Sequence, residues 1–207
     1  MNKIFKPVIA TIFVLFSVAA NASVIPDLFV DFRSTDWSGA WNKNLYTYNG
    51  VTISALPTTK TIFQNKIDGI GILGGEPDEI NPGEMMNISF NYSASTASAL
   101  TGVWITDLFD APDGGINGEE GYVSLTLANG TVIDYSFFGN ASHQANGEQY
   151  IDFGAKLQVV SAFFQTNGVA GNEFSIAGFT AIPEASTISM LVIGLILMGF
   201  TFRRKNI

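Results

Sequence analysis

The sequence predicts an all-β protein: an antiparallel β-sandwich, jelly-roll-like, with an apolar segment added at each end. Three observations lead there. Between Ser23 and Ala181, short apolar–polar runs alternate with clusters of Gly, Asn, Asp and Pro, the punctuation of many short strands. Glycine numbers 21 and phenylalanine 17, while no stretch of this body keeps a helical period beyond two turns. The 47% apolar content is ample for one core in a chain of 207 residues. No repeat of solenoid or propeller length is present.

In chain order, the first element is MNKIFKPVIATIFVLFSVAANASV. Lys3 and Lys6 precede an apolar run, Val8–Val18, that is short for a bilayer span. Ala20-Asn21-Ala22 is a small-x-small cleavage pattern. Together these predict a secretory signal peptide over residues 1–22. The sandwich domain is expected over 23–181, with strands at Leu28–Arg33, Val51–Leu56, Thr61–Gln64, Gly69–Leu73 and Met86–Tyr92. Gly102–Leu108, Tyr122–Leu127, Thr131–Phe138, Leu157–Phe164 and Glu173–Thr180 complete the set. In the sixth of these runs Val103 and Ile105 share one face and Trp104 takes the other; either face is apolar enough to be the inner one.

The segment YVSLTLANGTVIDYSFF fixes a register. A two-residue Asn129-Gly130 turn would set Asp134 opposite Leu125 on the core face. An unpaired carboxylate there costs several kcal/mol. A three-residue loop, Ala128-Asn129-Gly130, instead pairs Leu125 with Ile133 and Val123 with Tyr135. Gly130 then takes the left-handed position of a bulge. A slip of one residue would turn the whole strand over, so the buried face decides.

The formal charge is −8. Setting aside Lys3, Lys6, Arg203, Arg204, Lys205 and Glu184 leaves five basic against seventeen acidic residues, or −12. Such a body repels phosphate backbones, so no nucleic-acid partner is expected. Cysteine is absent, which removes disulfides and thiolate metal sites.

The acids fall in two clusters. The first holds Asp107, Asp110, Asp113, Asn117, Glu119 and Glu120 within fourteen residues. Calcium, the candidate cofactor, takes about six to eight oxygen ligands of this kind. The spacing is not that of an EF-hand, and on an extended strand Asp107 and Asp113 would stand roughly 20 Å apart. Convergence requires the loop to curl at Ala111-Pro112-Asp113-Gly114; otherwise these acids cap turns in solvent. The second cluster, Glu76, Asp78, Glu79 and Glu84, lies in a Gly/Pro-stiffened loop. Asp68 is placed to join either.

Trp37, Trp41, Tyr46 and Tyr48 fall in one stretch, DWSGAWNKNLYTY. Such rings either stack on sugars or cover the end of a core. A calcium-stabilised carbohydrate-binding module is therefore the alternative function. An enzyme is not expected. His143 is the only histidine, no G-x-S-x-G elbow exists, and paired carboxylates for a polysaccharide hydrolase are too easily found among so many acids to signify.

The chain closes IPEASTISMLVIGLILMGFTFRRKNI. Ser186–Phe202 is uncharged for 17 residues, roughly 25 Å as a helix against a bilayer core of about 30 Å. A transmembrane helix is predicted there, with Arg203, Arg204 and Lys205 held on the cytoplasmic side and the body outside. The order Pro183-Glu184, apolar helix, basic terminus over 182–207 resembles the PEP-CTERM sorting signal of Gram-negative bacteria, with Ala185 where that family usually has a second proline. DFRSTDW, DGIGILGGEPDEI, GVWITDLFD and NGEQYIDFG are similar to segments of proteins carrying that signal. The resemblance implies an exosortase and the secretion machinery as partners, transient anchoring at the inner membrane, and release to the cell surface or extracellular matrix. It implies a structural or adhesive role beside exopolysaccharide, as in a biofilm.

Overall fold

Period-two alternation of apolar and polar side chains resolves into two antiparallel sheets. The computed structural model describes residues 28–74, 79–91, 99–110, 118–139 and 147–182. Among them, one sheet contains β1 (Leu28–Asp31), β4 (Thr61–Gln64), β5 (Ile70–Leu73), β7 (Ala99–Thr106), β10 (Gln149–Leu157) and β12 (Ser175–Ile182). Its order is β10-β7-β12-β5-β4, with β1 also paired to β12. The other sheet runs β2 (Leu45–Tyr48), β3 (Val51–Leu56), β6 (Met85–Phe90), β11 (Val159–Thr166), β8 (Glu120–Leu127), β9 (Val132–Phe138). The signal-peptide residues 1–22 and the tail 183–207 lie outside the described residues. Among the described residues no helix is long and apolar enough to cross a membrane.

The inner faces of both sheets meet in one hydrophobic core. Rings bridge it. Phe179 of β12 meets Phe90 of β6 at 5.1 Å and Phe164 of β11 at 6.0 Å. Phe174 continues the chain of rings to Phe164 at 6.5 Å and to Phe137 of β9 at 5.0 Å. Burying each such ring contributes about 1.5–3 kcal/mol relative to leaving it in water. Val103 and Ile105 are the inward residues of β7, fully buried, and Trp104 lies outward against Tyr150 at 5.1 Å.

The β8–β9 hairpin adopts the register expected from its charge. Val123 pairs with Tyr135, Ser124 with Asp134, and Leu125 with Ile133. Leu125 is buried and Asp134 exposed on the opposite face. Gly130 has φ of 84° and donates its N–H to the Leu127 carbonyl at 2.9 Å, closing the three-residue loop.

Two strands were not expected. β2 carries the aromatic stretch read as a ligand or capping segment. β10 is interrupted in alternation by Gly154 at φ 68° and by a register shift between Asp152 and Leu157. The single strand expected at Leu157–Phe164 is in fact a corner. Leu157 ends β10 in one sheet, Gln158 turns, and Val159 begins β11 in the other. The Gln158 carbonyl accepts from Ala128 N–H at 2.8 Å, which pins the turn to the hairpin loop.

Hydrogen bonds close both sides of the two-sheet body. On one, Asn42 N–H donates to the Ile62 carbonyl at 2.9 Å and Ile62 N–H to the Lys43 carbonyl at 2.7 Å, covering the edge of β4. On the other, the Tyr135 hydroxyl of β9 donates to the Phe153 carbonyl of β10 at 2.9 Å, with the two rings 5.1 Å apart. Covered edges leave fewer free backbone groups to template association.

Candidate functional site

Of the six residues expected to hold calcium, four lie among the described residues. Asp113 and Asn117 lie outside the described residues. Glu119 immediately precedes β8 and Glu120 opens it, and their side chains leave opposite faces of the sheet. Glu119 points inward, is 1% exposed, and accepts a hydrogen bond from Phe109 N–H. Glu120 points outward and accepts from Tyr122 and Asn167. Asp110 is exposed, and Asp107 sits half-buried at the corner after β7 with φ of 56°. Among the described residues no three carboxylates or imidazoles converge as a metal site.

In the second cluster, Glu76 and Asp78 lie outside the described residues. Glu84 is occupied structurally. It pairs with Lys60 at 2.8 Å and accepts from Asn81 N–H at 3.0 Å. Asp68 accepts from Asn65 at 2.8 Å within its own turn. His143, Pro183, Glu184, Arg203, Arg204 and Lys205 are outside the described residues.

The four aromatic residues do not form a shared stacking face. A 3-10 turn, Thr35–Ala40, is capped by the Ser34 hydroxyl and drives Trp37 into the core. There it is 4% exposed, edge-on to Phe32 at 4.9 Å and to Tyr48 at 5.5 Å. Tyr46 and Tyr48 are half-buried beside it. Trp41 alone opens to solvent, 48% exposed and tilted against Phe63 at 4.5 Å.

A different surface is organised for contact: the outer face of the second sheet. Its central strands β3 and β6 bury every second residue and turn the others out, and β8 and β11 do so except at Thr126-Leu127 and Val160-Ser161. Register sets the outward residues in rows across the strands. Met85, Gln165 and Tyr122 form one row, and Asn87, Phe163 and Ser124 the next. Ser89, Ser161 and Thr126 form a third. Adjacent strands stand about 4.8 Å apart, so each three-strand row spans roughly 10 Å. Glu120, at the end of β8, is the one charged side chain among the outward positions of these four strands.

At this end of the face an open groove of about 520 Å³ is lined by Glu84, Met85, Tyr122, Gln165, Thr166 and Asn167, with Gly83 and Gly168 at its rim. Glu120 is clamped beside it. The Tyr122 hydroxyl donates to Oε1, and Asn167 Nδ2 donates to Oε2 at 2.7 Å. The hydrogen bond to Glu120 first, then desolvation and the carboxylate's charge, raise the Tyr122 phenol above its ordinary value. Tyr122 therefore stays a neutral donor to Glu120.

Part of this face was legible in advance. Thr52/Ser54, Asn87/Ser89 and Ser124/Thr126 alternate with apolar residues and read as outward. Their alignment into rows depends on pairing between distant strands, and Phe163-Phe164 gives no local sign of which ring faces out. No protein-family model, curated protein or solved structure matches the chain.

Proposed function

We propose that this chain is an exported structural or adhesive protein of the cell surface or extracellular matrix. In this reading the body is a jelly-roll-like β-sandwich. A signal peptide over residues 1–22 exports it, and an exosortase processes a PEP-CTERM-like tail over 182–207. Pro183 and Glu184 are the recognition pair, Thr187–Phe202 the transient inner-membrane anchor, and Arg203, Arg204 and Lys205 the cytosolic stop.

The observation that carries the reading is the position of the boundary. The last strand among the described residues, β12, ends at Ile182, immediately before Pro183-Glu184. Processing next to that pair would leave every strand among the described residues whole. Sorting and folding would thus use separate stretches of chain, as a cleavable tail requires. The proposal assigns the body no catalytic step.

Intact mass of the surface-associated protein from its native host tests both ends at once. The expected species begins at Ser23 and lacks the apolar tail. A mature protein retaining Arg203–Lys205 would replace processing with a permanent anchor. Pro183→Ala with Glu184→Ala is expected to leave the precursor in the inner-membrane fraction.

A further inference from the structure

We infer that the outer face of the second sheet is a binding platform for a neutral polysaccharide chain, centred on Phe163 and Tyr122. The proposal above supplies only a source for such a glycan; the site itself rests on the chemistry of the face.

The first ground is charge. The body carries a large acidic excess, yet the four central strands turn out only one ionised group, Glu120, at the groove end of the face. Sheet faces that merely meet water ordinarily carry charged side chains, because lysine, glutamate and arginine are seldom buried and abundant on surfaces. Here the outward residues of the central strands are mostly hydroxyls, amides and rings, and the exposed Asp134 of β9 stands beside Ser124 at the margin of the face. An anionic polymer would lose its counterions and meet Glu120 and, at the margin, Asp134, with no cation on these rows to repay it. A protein partner would find few charged anchors. An uncharged polyol meets groups that both donate and accept.

The second ground is geometry. Phe163 and Tyr122 lie on adjacent strands, one row apart, since Phe163 pairs with Ser124 and Gln165 with Tyr122. Two rings so placed give apolar faces for successive sugar rings. Asn87 and Gln165 flank them on neighbouring positions, and Glu120 is held ready by Tyr122 and Asn167. Side-chain ordering, a principal cost of binding, is therefore partly met before the ligand arrives. The groove beyond Tyr122 gives the chain a way off the face.

The test uses the full chain in a zwitterionic, sugar-free detergent. Its migration is followed in native gels cast with laminarin, galactomannan, xyloglucan or hydroxyethyl cellulose, and with alginate as the anionic probe. Retardation is expected in at least one neutral gel and not in alginate. Phe163→Ala and Tyr122→Ala should each weaken that retention about tenfold, as loss of an aromatic contact does. Trp41→Ala, at an exposed ring away from this face, should leave it unchanged. Ser124→Lys alters no core contact and should also abolish retention, which keeps the test decisive if an aromatic variant unfolds. Free migration in all four neutral gels overturns the proposal. So does retardation in alginate alone, or retention that survives Ser124→Lys. A failed mass test with intact retention would overturn the sorting reading and leave this platform standing.

Discussion

Gln64 is 8% exposed in β4, and its amide nitrogen reaches three carbonyl oxygens: Phe32 at 3.0 Å, Asn65 at 3.1 Å and Ser34 at 3.4 Å. It ties β4 to the segment that follows β1. Gln64→Leu keeps the volume but removes the donor, so the midpoint of urea unfolding should fall by an amount equivalent to about 1–3 kcal/mol. Tyr135 gives a pH-dependent counterpart. Burial, then the negative charge of Asp152, raise its phenol above the ordinary value. The folded chain holds this proton more tightly than the unfolded chain does. Its contribution is complete below the unfolded value of about 10 and is lost as pH rises through that value toward the higher folded one. Tyr135→Phe should cost about 1 kcal/mol at neutral pH through the lost bond to Phe153, and should flatten the alkaline fall in thermal midpoint.

Within the β8–β9 hairpin two glycines answer to different constraints. A Cβ at Gly130 would meet nothing within 4 Å, so its φ of 84° is the only obstacle to a side chain. Gly130→Ala should cost about 1 kcal/mol and Gly130→Asn less, read from chemical denaturation. A Cβ at Gly121 would stand 2.2 Å from the buried Phe137 ring and 2.7 Å from Phe174. Gly121→Ala should therefore cost more, about 1–3 kcal/mol, as overpacking does. Strands β3 and β4 were legible to the residue because Val51–Leu56 and Thr61–Gln64 alternate cleanly between breakers. β10 was hidden because Gly154 and Lys156 spoil its alternation. The corner at Gln158 was hidden for a deeper reason. Sheet membership depends on partners elsewhere in the chain, and the run from Leu157 to Phe164 is locally continuous in character. The aromatic stretch misled in the same way. Nothing near Trp37 announces that a 3-10 turn will drive it inward while Trp41, four residues on, stays outside.

At the scale of the molecule, the two-sheet architecture follows from alternation, while the strand order does not. The acidic excess acts on the whole body, and self-repulsion lowers the stability of any compact state with so little positive charge. Raising salt from low to physiological strength should lift the thermal midpoint by a few degrees, with neutral osmolytes at matched osmolarity as the comparison. The placement of β12 carries a further consequence. It is the last strand among the described residues, and it fills the slot between β7 on one side and β5 with β1 on the other. During synthesis from the N-terminus, that sheet stays split until Ser175–Ile182 emerges. A nascent chain halted earlier is left with two open flanks and no keystone. The sheet therefore closes only once nearly all of the body has been made.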